Sequence, residues 1–151
     1  MPNGPDHAVV VFFRPGDDRG HPPIVNEQGH YLGTSVAGAY FSVIVPPGDH
    51  TFVSCTTTPG VLRVRLLAGK RYNVLVTSSE VFRISKSALW PIRPGTDPFS
   101  QLDRWYTEQK HIVTDDTEAE KELGDSLAEC ARDGLKDSGA TLDMLRPEDG
   151  Q

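Results

Sequence analysis

The sequence has few cysteines and no long hydrophobic run. Its 151 residues include two cysteines, and neither is spaced from another Cys or His as in a zinc site. No stretch approaches the roughly 20 apolar residues that a transmembrane helix needs. Residues 1–6 also lack the basic and apolar regions of a secretory signal, so the sequence as it stands predicts a cytoplasmic protein. Removal of a lipoprotein signal would instead place the chain in the cell envelope.

The two cysteines allow one disulfide or two free thiols. Cys55 falls on a predicted strand and Cys130 on a predicted helix. A disulfide between them would close a long loop, but a free Cys commonly behaves as a small core hydrophobe. We therefore predict two buried thiols, with the disulfide as the alternative.

Charge divides the chain near Asp97. Residues 1–96 carry 9 Lys/Arg and 6 Asp/Glu, a net charge of +3, whereas residues 97–151 carry 6 and 15, a net charge of −9. Opposite charges can steer the two parts together or toward different partners. Nucleic-acid binding is disfavoured, because the total charge is −6 and no aromatic residues alternate with the arginines.

The pattern before Asp97 predicts a mainly β fold, an antiparallel β-sandwich in a domain of residues 1–96. About seven or eight short strands at roughly ten-residue spacing are typical of a sandwich or small barrel. Residues 7–14 are almost continuously apolar, which predicts a strand covered on both faces. The other strands are predicted at residues 24–28, 30–35, 39–45, 50–57, 61–67, 71–77 and 81–85. Pro47 and Gly48 suit a type II turn that returns residues 50–57 against residues 39–45.

A proline-containing linker is predicted at residues 91–98, and a C-terminal region at residues 97–151. Within this region, the spacing of apolar residues predicts an acidic helix over residues 114–137. Thr114 can cap its N-terminus. A narrow apolar stripe follows helical spacing, and it includes Leu123, Leu127 and Leu135. We expect this stripe to pack on the sandwich. Alternatively, the stripe contacts a second copy of the chain or another partner, or the acidic helix forms a calcium-binding surface. The oligomeric state, monomer or homodimer, therefore stays open.

Candidate binding residues lie on the amphipathic strands. Arg63, Arg65 and Arg83 alternate with apolar residues, so they are expected on outward faces. They are either ordinary solubilising charge or a basic face for lipid headgroups, a partner, or the chain's own acidic helix. The five histidines fall in five different segments and are expected to be solvated.

No catalytic, metal or cofactor residues are predicted. Ser54, Cys55 and Thr56 have no neighbouring histidine or glycine-flanked elbow that would activate a nucleophile. Two other functions remain as alternatives to a non-enzymatic module. One is a hydrolase-type enzyme with a site built by loops at residues 14–23 and 91–98, where His21 or His50 meets a carboxylate. The other is a small-ligand carrier with an apolar cavity between the sheets.

Four segments carry a resemblance to a known family. They are VVVFFRP at residues 9–15, GAYF at 38–41, VPPGDHTF at 45–52 and LLAGKRYNV at 66–74. Together they resemble an uncharacterised bacterial β-sandwich family that is similar to PEGA-type modules and often occurs in small envelope lipoproteins. The resemblance covers roughly residues 7–85 and implies an Ig/PEGA-like β-sandwich without an established activity. It favours a non-enzymatic binding or structural module at the cell envelope, with an unknown protein partner or an anionic surface as its target.

Overall fold

A computed structural model describes residues 6–14, 22–56, 59–81 and 84–92, with residues 102, 104, 105, 110, 111, 129, 130, 132, 144 and 145. These residues form ten strands in two five-stranded sheets, so the prediction of a mainly β, sandwich-like protein is confirmed. The strands are β1 (Ala8–Arg14), β2 (Pro23–Val25), β3 (Tyr31–Thr34), β4 (Ala39–Val45), β5 (Gly48–Ser54), β6 (Gly60–Leu66), β7 (Arg71–Val81), β8 (Ile84–Pro91), β9 (Lys110–His111) and β10 (Met144–Leu145).

Both sheets are mixed rather than antiparallel. The first sheet has the order β8-β7-β1-β4-β9 and the second the order β10-β6-β5-β2-β3. The β1–β7, β4–β9 and β6–β10 pairs are parallel, whereas the remaining pairs are antiparallel. The predicted all-antiparallel pairing is therefore wrong for the three parallel pairs. Each of them joins strands far apart in sequence, where no tight turn dictates direction.

The predicted return of residues 50–57 against residues 39–45 is wrong, because the chain crosses between the sheets there. β4 belongs to the first sheet and the following β5 to the second, and the same change of sheet separates β6 from β7. Pro46 and Pro47 lack N–H groups to donate to a ladder, and Gly48 has a φ of 117°, which favours glycine. A sharp reversal of the chain predicts a turn but does not determine which sheet the next strand joins.

The β7–β8 hairpin corrects two other predictions. The strand predicted at residues 81–85 spans the end of this hairpin, and β8 continues to Pro91, where a linker was predicted. Ser87 and Leu89 are buried, while Lys86 and Trp90 are exposed. The strand escapes detection by hydrophobic pattern because one of its inward residues is a serine.

β1 lies in the middle of the first sheet and is buried on both faces, which confirms that prediction. Phe12 points between the sheets, where its ring stacks on Phe41 at 5.0 Å and meets Phe52 of the second sheet edge-on at 5.4 Å. Phe13 points to the opposite face, where its ring packs against that of Trp105 with the ring centroids 5.8 Å apart. The first sheet is therefore covered on its outer face by residues that follow the predicted linker.

Cys55 and Cys130 form a disulfide with an S–S distance of 2.04 Å, so the prediction of two free thiols is wrong. Cys55 follows β5 on the outer side of the second sheet, where the disulfide adjoins the cluster of Val25, Tyr31 and Val53. The sequence does not reveal this contact because 75 positions separate the two cysteines.

The acidic helix stays a prediction. Glu129, Cys130 and Arg132 have helical backbone, but most of the predicted helix falls outside the described residues. The stripe of Leu123, Leu127 and Leu135 falls outside them as well. In the part of the chain that the structure describes, no helix is long and apolar enough to cross a bilayer.

The two sheets approach each other closely at Gly60. A Cβ atom there would lie 2.7 Å from the Cα of Ala88 and 2.7 Å from the carbonyl oxygen of Ser87. Beside it, the hydroxyls of Ser54 and Ser87 hydrogen-bond at 2.5 Å, and the Gly60 N–H donates to Ser54 Oγ at 3.2 Å. This edge of the sandwich is closed by hydroxyl groups and backbone rather than by apolar side chains.

Gly60→Ala is expected to lower the free energy of unfolding by about 1–3 kcal/mol, because overpacking forces backbone shifts. Backbone atoms of β8 block the new methyl group, so a change of rotamer cannot relieve the clash. Urea unfolding followed by tryptophan fluorescence measures the change. A variant as stable as the natural sequence would contradict this close approach of β6 to β8.

Candidate functional site

β6 presents two of the predicted arginines on one face. Leu62, Val64 and Leu66 are buried toward the other sheet, whereas Arg63 and Arg65 between them are exposed. Strict alternation of apolar and charged residues positions both guanidinium groups on the outer face of the second sheet. Arg83, the third predicted member of the basic face, lies outside the described residues.

The neighbouring β5 determines the surroundings of the two arginines. In the antiparallel register Asp49 lies opposite Arg65, and Thr51 lies opposite Arg63. Arg65 Nε donates to Asp49 Oδ1 at 2.8 Å, and this hydrogen bond and its charge lower the pKa of Asp49 and raise the pKa of Arg65. Both side chains are exposed, so salt screens their attraction. Among the described residues Arg63 has no carboxylate partner.

The open edge of β5 is capped by Glu27. β2 pairs with β5 only at Val53 and Ser54, so the earlier residues of β5 have no neighbouring strand on that side in the described sheet. The Thr51 N–H donates to Glu27 Oε2 at 3.2 Å. The carboxylate thus takes the place that the carbonyl group of a longer β2 would occupy.

His50 joins this cap to the connection between the sheets. Its Nδ1 lies 3.1 Å from Glu27 Oε1, and its Nε2 lies 2.7 Å from the carbonyl oxygen of Pro46. The ring is parallel to that of Phe52, with the centroids 6.3 Å apart. The side chain of His50 is only 16% exposed, so the prediction of a solvated histidine is wrong here. Nothing in the sequence separates His50 from the other histidines, because its partners come from distant segments.

An open groove of about 360 Å³ lies at these residues. Asp49, Thr51, Arg63 and Arg65 are on the outer face of the second sheet, whereas His50 and Val64 occupy the alternate positions, whose side chains are directed toward the core. The residues that line it are Glu27, Asp49, His50, Thr51, Arg63, Val64 and Arg65. Asp49 and Arg65 neutralise each other, whereas Arg63 is exposed and has no carboxylate partner among the described residues. A guanidinium group beside a hydroxyl is suited to receive a carboxylate or a phosphate.

Both ring nitrogens of His50 contact oxygen atoms of the chain. A general base needs a ring nitrogen within hydrogen-bonding reach of the substrate. Both nitrogens of His50 are already bonded, one to Glu27 and the other to Pro46. The structure therefore brings a histidine and a carboxylate together, as the enzyme alternative requires, with the second ring nitrogen beside a carbonyl oxygen. His21 and residues 93–98 lie outside the described residues.

The same outer face changes character along its strands. Beyond Thr51 and Arg63, the next cross-strand pair is Val53 and Val61, followed by the disulfide at Cys55. One end of the face is therefore apolar and covered by the residues around the disulfide, whereas the other end is charged and grooved. Within the described ranges, no three His, Cys, Asp or Glu side chains are grouped to hold a metal ion.

The fold and groove define a mainly β protein with two packed sheets and a charged groove on the outer face of one of them. No family model matches the chain, and no curated protein or solved structure is significantly similar to it. The resemblance to PEGA-type modules rests on the strand and turn segments of the sequence and stays a prediction.

Proposed function

We propose that the chain is a non-enzymatic binding module that attaches to an anionic membrane surface through the groove on its second sheet. The observation that carries this proposal is the exposed Arg63, which has no carboxylate partner among the described residues and lies beside the hydroxyl of Thr51. Arginine and lysine side chains near an anionic leaflet each contribute about 1 kcal/mol of attraction.

The disulfide supports a location in the cell envelope. Disulfides persist in oxidising compartments and are rare where cellular thiols are kept reduced. The resemblance to modules of envelope lipoproteins points to the same location. An envelope protein meets anionic lipid headgroups at the membrane surface, and these are the groups that the groove is suited to receive.

A carrier function has less support. Between the sheets, the rings of Phe12, Phe41 and Phe52 contact one another. Buried aliphatic residues from both sheets surround these rings. Aromatic side chains at such distances occupy the space that a ligand between the sheets would need.

The proposal predicts binding to vesicles of phosphatidylglycerol and phosphatidylcholine at low salt. Arg63→Gln is expected to weaken this binding about fivefold, the effect of removing one positive charge near the surface. Lys86→Gln is the matched control, since it removes one positive charge from an exposed position on the first sheet. Vesicle co-sedimentation measures both.

Equal losses in the two variants would contradict a specific role for the groove. Binding to an acidic polypeptide such as polyglutamate, with none to the vesicles, would also contradict the membrane proposal and favour an acidic protein partner. Added salt is expected to release the protein, because screening weakens attraction between exposed charges.

A further inference from the structure

The disulfide attaches the acidic part of the chain near the groove. Cys55, Val53 and Thr51 occupy alternate positions along the outer face of the second sheet, and Thr51 lies opposite Arg63 in the strand register. At about 3.4 Å per residue, Cys55 lies about 14 Å from Thr51 along the chain. The disulfide brings the Cα of Cys130 to 5.8 Å from the Cα of Cys55. The chain on either side of Cys130 therefore starts within about 20 Å of the groove.

A second attachment lies along the edge of the same sheet. β10 pairs in parallel with β6, and Met144 is the partner of Arg63 in that pair. The part of the chain that follows Asp97 is thus joined to the sheet of the groove at two places, one at the disulfide and one beside Arg63 itself. Both attachments keep its charges close to the arginines of β6.

The segment that leads to Cys130 is strongly acidic. Residues 115–129 include seven Asp/Glu and one Lys, a net charge of −6. Glu129, next to the disulfide, is exposed. A segment of this length spans up to about 50 Å as an extended chain and about 22 Å as a helix. In either conformation it is long enough to bring a carboxylate to Arg63.

We propose that residues 115–129 are an intramolecular ligand of the groove, which competes with external anions for Arg63. A guanidinium group binds a carboxylate through charge-assisted hydrogen bonds. Attachment near the groove gives these carboxylates a high effective concentration, about millimolar for short flexible linkers. An external anion therefore has to displace them. The inference rests on the proposed function where it concerns the external anion, whereas the internal contact does not depend on membrane binding.

Zero-length cross-linking tests the internal contact. In Arg63→Lys, a carbodiimide is expected to join the introduced amine to a carboxylate of residues 115–129, and mass spectrometry of the digest identifies the pair. Lys86 is the control within the same molecule, because it is exposed on the first sheet. Linkage to position 63 is expected to exceed linkage to Lys86 several times and to fall in high salt. No link at position 63, or equal yields at both positions, would overturn the proposal.

Vesicle binding tests the competition. Asp125→Asn/Glu129→Gln removes two negative charges from the segment, whereas the control Asp6→Asn/Glu80→Gln removes two from the chain before β1 and from β7. Both variants raise the net charge equally, so the difference between them reports competition at the groove. The first is expected to bind phosphatidylglycerol vesicles about fivefold more tightly than the control, the effect of one more available arginine. Equal affinities would contradict the competition.

The internal contact and the proposed function fail in different experiments. If Arg63→Gln leaves vesicle binding unchanged, the proposed function fails, and the cross-link alone decides on the internal contact. If Arg63→Gln weakens vesicle binding but Arg63→Lys forms no link to residues 115–129, the membrane proposal holds and the intramolecular ligand is wrong.

Discussion

Phe12→Ala is expected to lower the free energy of unfolding by about 3–5 kcal/mol, as for other large aromatic side chains removed from cores. Phe12 is 1% exposed and contacts aromatic rings from both sheets, Phe41 on its own sheet and Phe52 on the other. Its loss removes buried apolar surface and leaves a cavity that β1, fixed between two neighbours, cannot close. Chemical denaturation at equilibrium measures the change.

Ile44→Ala is the control for Phe12→Ala. Ile44 lies on β4, the strand next to β1, but it is 47% exposed. A loss well below that of Phe12→Ala is expected, because a half-exposed side chain transfers less surface from water on folding. Comparable losses in the two variants would contradict the central position of Phe12 between the sheets.

Reduction of the Cys55–Cys130 disulfide is expected to destabilise the chain by about 4 kcal/mol. The bond joins residues 75 positions apart, and a crosslink that closes so long a loop removes much of the entropy of the unfolded chain. The expected result is a lower denaturation midpoint in dithiothreitol. Thiol labelling of the denatured, unreduced protein is expected to modify neither cysteine.

The Cys55→Ala/Cys130→Ala double variant is the control for reduction. Its midpoint is expected to match that of the reduced natural protein and to be insensitive to dithiothreitol. Two labelled thiols without reductant would show that the cysteines are free and would contradict the disulfide. An unchanged midpoint after complete reduction would contradict the expected stabilisation by the crosslink.

The sequence predicts strands well where burial follows a simple period. β4 occurs at the predicted residues 39–45, and the continuous apolar run at residues 7–14 marks β1 as buried on both faces. In β6 the alternation of leucine and valine with arginine predicts which side chains face outward. These features depend on residues that are close together in the sequence, so the local sequence pattern is enough to predict them.

The features that failed depend on contacts between distant segments. The turn at Pro46 and Pro47 predicts a reversal, but the choice of sheet for β5 depends on β6 and β2. Likewise, Arg63 and Arg65 could be predicted as an exposed pair. Glu27 could not be assigned to the same site, because its place depends on how early β2 ends.

The cap at Glu27 has a consequence for the behaviour of the protein at high concentration. An uncovered strand margin is a template on which another chain can add and begin a fibril. A carboxylate over the Thr51 amide occupies that position and repels the backbone carbonyls of an approaching strand. The side chain that lines the groove is therefore expected also to hinder edge-to-edge addition of another chain at this position.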